Sequence, residues 1–148
     1  MLLSCIALCT VLICFLAAAV MDYRTCRVYR LFWWIALGAD ILLWVCKADT
    51  ILYSRLPELI FFCLLQELFF SKMYGRADCH GFCVGAVTLF CLGGSLWDFV
   101  MLMAYSFGLL FVVQAFHRNI NRRGNLKSPV SFFPYITPAF CLYLLKIL

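Results

Sequence analysis

Tyr74-Gly75-Arg76-Ala77-Asp78-Cys79-His80 is a short polar interruption that carries an acid and sits between two long apolar runs. An aspartate placed where a helix meets lipid costs free energy, so a role and a partner are expected for it. The best partner in the sequence is Asp22. It closes the first apolar run, Met1 to Met21, and opens a second polar segment that reaches Arg30.

Composition sets the class. The 148 residues are 66% hydrophobic and 13% charged, whereas soluble domains average about 45 to 50% apolar and about 25% charged. The mean hydropathy is +1.00. Such a chain is expected to form one all-α, polytopic membrane domain over residues 1–148, a bundle of six transmembrane helices at ~20 residues each. The apolar runs are Met1 to Met21, Leu31 to Cys46, Ile51 to Phe70, Gly81 to Leu96, Phe99 to Phe116 and Val130 to Leu148. Ala17, Ala18 and Ala19 resemble a signal cleavage site. No basic residue precedes that run and three arginines follow it, so it is read as a retained helix. Eight of the ten cysteines fall inside apolar runs, where a thiol acts as a small hydrophobe and not as part of a disulfide scaffold.

Nine of the twelve basic residues lie in the gaps 22–30, 71–80 and 117–129. The positive-inside rule then places those gaps in the cytoplasm and the N-terminus outside. The net charge of +5 is accounted for by orientation and attraction to anionic lipid, so the expected surroundings are a bilayer and nucleic acid is not needed. This topology sorts the acids. Asp49 and Asp98 fall at the outer ends of helices, while Asp22 and Asp78 share the cytoplasmic depth. Glu67 lies about one turn inside the cytoplasmic end of the third run. Asp40 is near the middle of the second run and Glu58 in the outer half of the third, either of them facing the interior beside Gln66 or Gln114.

Two carboxyl groups sharing one site repel each other and are desolvated together, so one stays ionised and the other protonated near neutral pH. The ionised group takes a proton from an attacking water, and the protonated one donates to the oxyanion or leaving amine. This is aspartyl protease chemistry, and the pair titrates as a unit. The competing reading makes both residues simple hydrophilic flanks of helices.

Three stretches carry a resemblance to the type IV prepilin (leader) peptidases, membrane aspartyl proteases with a Gly-x-Gly-Asp motif. Asp22-Tyr23-Arg24-Thr25-Cys26-Arg27-Val28-Tyr29-Arg30 resembles that family's Asp followed by a basic, Thr-containing stretch, with Tyr29 and Arg30 in place of Pro and Asn. Gly75-Arg76-Ala77-Asp78 resembles Gly-x-Gly-Asp, with Ala77 at the second glycine, and His80 stands where Lys is usual. Val130-Ser131-Phe132-Phe133-Pro134-Tyr135 resembles Ile-Pro-Phe-x-Pro-Phe, with Ser131 for the first proline. The resemblance implies an endopeptidase with Asp22 and Asp78 as the catalytic pair and with Gly75, Ala77 and Pro134 supporting the motifs. Arg24, Thr25, Glu67 and His80 would lie near site or substrate. It implies no metal and no cofactor, and as partner a prepilin-like membrane protein with a basic leader, cut at the cytoplasmic face of a bacterial or archaeal cell membrane. The compact form implies cleavage without N-methylation. A Cβ at Ala77 would hinder positive φ or close backbone approach.

Smaller features have plain readings. Cys79, His80, Cys83 and a distant His117 have zinc-ligand chemistry, but a structural zinc site normally uses two separated pairs. Gly93-Gly94-Ser95 either packs helices closely or ends the fourth helix. Trp33, Trp34, Trp44, Trp97, Tyr29 and Tyr53 are read as interfacial aromatics. Two other function classes compete: a non-catalytic assembly or binding protein for pilin-like helices, and a small transporter using Asp40, Glu58 and Glu67 as a polar path.

Overall fold

A computed structural model of the chain describes residues 2–73, 75–120 and 132–147. Met1, Tyr74, residues 121–131 and Leu148 lie outside the described residues, as does the His117 side chain. The described residues form six α-helices and no strand: α1 Leu2–Thr25, α2 Arg30–Lys47, α3 Leu56–Leu68, α4 Arg76–Cys91, α5 Leu96–Ile120 and α6 Phe133–Ile147. The all-α expectation is met. Two helices, Leu2–Thr25 and Leu96–Phe116, are long and apolar enough to cross a membrane.

Local chemistry sets the helix ends. After α1 the backbone turns left-handed at Cys26, φ 50°, and the Cys26 N–H donates to the Asp22 carbonyl at 2.8 Å. This is a helix terminator in the αL style, although glycine is the usual residue there. Pro57 stands in the first turn of α3, where its missing N–H costs nothing. Gly75 adopts φ +109° immediately before α4, and Gly93 adopts φ +90° two residues after its last residue, Cys91. The Gly93-Gly94-Ser95 cluster therefore ends α4. A Cβ on Gly94 would also come within 2.8 Å of the Leu89 carbonyl oxygen.

Two sequence expectations need correction. The fourth helix begins at Arg76 and not at the apolar switch of Gly81. Arg-Ala-Asp is compatible with a first helical turn, and an acid there complements the helix dipole, so Asp78 belongs to α4 itself. Trp33 is not interfacial: it is buried, with its ring 5.2 Å from that of Phe133 and 6.2 Å from that of Phe15.

The centre of the bundle is α4, which packs on α2, α3, α5 and α6, while α1 packs on α2 and α6. Most of the α4 side chains are buried, including Phe82, Val84, Leu89 and Phe90. The core is aromatic where α1, α2, α4 and α6 converge, with Phe15 stacked on Phe140 at 4.4 Å. The outer surface is apolar as well: Ile13, Trp34, Ile41, Val45, Phe61, Leu64, Phe111 and Leu145 are all exposed. A soluble monomer rarely exposes so much contiguous apolar surface, which fits association with a membrane.

Gly81 is the tightest point. A Cβ there would overlap Cε2 of Phe133 and come within 3.3 Å of the Trp33 ring. Gly81→Ala is therefore expected to push α6 off α4 at a cost of about 1 to 3 kcal/mol, the usual range for overpacking. A thermal midpoint in detergent equal to that of the parent would refute this.

Candidate catalytic aspartate pair

Asp22 lies in the last turn of α1 and Asp78 in the first turn of α4, and both side chains are buried, each 9% exposed. The two expected catalytic residues therefore lie at one end of the bundle. They are close enough for the charge of Asp22 to act on Asp78. The start of α6 completes the site: the Phe133 N–H donates to Asp22 Oδ2 at 3.0 Å. That N–H is one of the unsatisfied donors at a helix N-terminus, and Asp22 supplies its acceptor from 111 residues away.

Gly75 carries the positive φ that this turn requires. A Cβ on it would lie 3.6 Å from Asp78 Oδ2, ordinary contact, so conformation rather than space demands glycine. Ala77 sits inside the first turn of α4 with no positive φ. The backbone freedom sought at the second motif position is thus not used there, and Ala77 is compatible with this geometry.

The remaining expected residues surround the pair less closely. Pro134 follows Phe133 in the first turn of α6 and is half-buried, and His80 is half-buried on α4. Arg24 and Thr25 are exposed at the end of α1. The Thr25 hydroxyl is turned onto its own backbone, donating to the Met21 and Arg27 carbonyls at 2.9 and 3.1 Å. Glu67 is exposed on the last turn of α3. Phe133 and Gly81 were not among the expected site residues. Phe133 contributes through its backbone N–H, which no side-chain pattern reveals, and Gly81 through the space it leaves for the Phe133 ring.

The inner acids have other partners than expected. Glu58 Oε2 accepts the Leu96 N–H at 2.7 Å and so caps α5, in place of Gln66 or Gln114. Asp40 Oδ1 accepts the Thr88 hydroxyl at 2.7 Å. Gln66 donates to Met103 Sδ at 2.9 Å. Asp98 lies in the first turn of α5, accepting from the Ser95 N–H and hydroxyl and from the Tyr143 hydroxyl. The path Asp40, Glu58, Glu67 is thus not continuous: Glu58 is committed to a helix start and Glu67 faces outward. Cys79 donates to the Gln66 carbonyl at 3.4 Å. Among the described residues no three His, Cys, Asp or Glu side chains cluster as metal ligands.

Neither protein-family models, curated proteins nor solved structures give any match to this chain.

Asp78 stands in the polar segment ahead of the apolar part of α4. Burial first, and then the neighbouring Asp22 charge, push its carboxyl up to about 7. A folded value above the ordinary ~3.9 means that the folded chain binds this proton more tightly than the unfolded chain does. The stability it contributes is complete below about pH 4 and is lost as pH rises through about 7. Asp78→Asn, which cannot ionise, should therefore match the parent's thermal midpoint near about pH 4 and exceed it increasingly toward about pH 8. A gap of constant size across that range would contradict the burial and charge argument.

Proposed function

We propose that the chain is a multi-pass membrane aspartyl endopeptidase in which Asp22 and Asp78 form the catalytic pair. More narrowly, its substrates are type IV prepilin-like proteins, whose basic leader it removes at the cytoplasmic face of a bacterial or archaeal cell membrane. One observation carries the reading: two buried aspartates from separate helices meet at one end of the bundle, and the charge of one raises the proton affinity of the other. Asp78 holds the shared proton, and Asp22 takes the proton of the attacking water as it adds to the scissile carbonyl. Asp78 then donates to the oxyanion or the leaving amine.

The six-span topology is part of this proposal. With 13 residues, α3 covers about 20 Å at 1.5 Å per residue, short of the ~30 Å core. The short 3-10 turns Tyr53–Arg55 and Phe70–Lys72 extend it at both ends, and exposed Phe61, Leu64 and Leu68 give it an apolar outer face. Basic residues Arg24, Arg27, Arg30, Lys72 and Arg76 gather at the end of the bundle that holds the aspartates, as a cytoplasmic face requires.

The test is co-expression with pilin-like membrane proteins, scored by the mass lost from the leader. Asp22→Asn retains an acceptor for the Phe133 N–H, so the fold is expected to survive while cleavage falls at least ~100-fold, the lower range for a lost acid or base. Asp78→Asn should do the same. Leader loss that persists in both variants would exclude proteolysis by this pair, and binding of intact substrate by the parent without any cleavage would favour the assembly-protein reading.

A further inference from the structure

We propose that the groove between α1 and α6 holds one acyl chain of an anionic phospholipid, with its phosphate on Arg24. The inference depends on α1 crossing the bilayer and not on proteolysis. The groove has a volume of about 630 Å³, and its walls are apolar, with Leu16 and Val20 on α1 and Pro138 and Cys141 on α6. Tyr23 and Arg24 stand at its mouth.

Its length selects the occupant. From Leu16 to Arg24, α1 rises about 12 Å at 1.5 Å per residue, close to one leaflet of a ~30 Å core. The groove thus runs from the membrane surface toward the midplane and stops, as a lipid tail does and a spanning helix does not. The shape arises from the sequence. Two prolines four residues apart, Pro134 and Pro138, line α6 on this side, and neither presents a long side chain. Pro138 also has no N–H for the Pro134 carbonyl, which weakens the helix at this wall.

The mouth is suited to a phosphate. Arginine offers a planar fork of donors matched to phosphate oxygens, and Arg24 is exposed at the end of α1. Arg27 and Arg30 follow on the same exposed segment and add to the attraction for an anionic surface. Tyr23 is exposed at the same level, the position of an interfacial aromatic.

The full chain would be reconstituted in bilayers containing either phosphatidylglycerol or phosphatidylcholine that carries a diazirine near the end of one acyl chain. After illumination, adducts are mapped by peptide mass spectrometry. The anionic phosphatidylglycerol probe should label the Leu16–Val20 and Pro138–Cys141 segments, and Arg24→Glu should lower that labelling about fivefold or more, the size of one basic residue's contribution near a charged surface. Ala19→Trp, which fills the groove, should remove those adducts and leave labelling elsewhere intact. Equal labelling by both lipids with no effect of Arg24→Glu would overturn the proposal. So would displacement of the lipid by a photoreactive single-span peptide that labels the same residues more strongly. Leader cleavage is not read in this experiment, so its outcome is separable from that of the proteolytic assignment.

Discussion

The hydrogen bond from the Phe133 N–H to Asp22 Oδ2 is the contact on which this architecture turns. A helix start leaves donors that nothing within the helix can satisfy, and in an apolar setting each such donor is costly. Asp22 answers that demand for α6 and, in doing so, fixes the end of α1 against the beginning of α6. The same logic recurs at the opposite end. Glu58 and Asp98 supply acceptors at the start of α5, and Asp98 also reaches across to Tyr143 on α6. The chain uses its few acids mainly where helices begin.

Placement of the pair depends equally on what lies beneath it. Phe133 sends its N–H to Asp22 and its ring into the space left by Gly81, against Trp33 and Phe15. Because Gly81 is on α4, one turn from Asp78, the ring sets the distance between α6 and α4 while the N–H sets that between α6 and α1. The two aspartates are therefore positioned through a third helix. In water such a pair would be screened. Here burial raises the affinity of Asp78 for its proton, and the Asp22 charge raises it further.

The helical class and the convergence of Asp22 and Asp78 at one end were legible, because long apolar runs are broken by polar gaps and both acids stand in gaps rich in basic residues. Helix limits were less so. Hydropathy marks where the chain becomes apolar, but α4 begins where Gly75 can adopt positive φ, five residues earlier than the apolar switch. The partners of Glu58 and Asp40 were not legible at all, since hydrogen bonds such as Glu58 to Leu96 and Asp40 to Thr88 join separate helices and leave no local pattern. Trp33 shows the limit of residue type as a signal. An aromatic next to a helix start reads as interfacial, yet the buried Trp33 and the exposed Trp34 are adjacent in the chain, and only the direction of the helix face decides between them.

Asp40 is the acid that fits neither pattern. It sits in the interior of α2 with 1% exposure, and its Oδ1 accepts from Thr88, which also donates to the Val84 carbonyl. Its Oδ2 has no partner among the described residues. The Thr88 hydroxyl, shared between Asp40 Oδ1 and the Val84 carbonyl, gives Asp40 one bond across from α4 to α2. The acid also lies at the junction of α2 with α4, the helix that carries Asp78. Asp40 therefore serves as a tether between α2 and α4, apart from the pair at the end of the bundle on which the catalytic proposal rests.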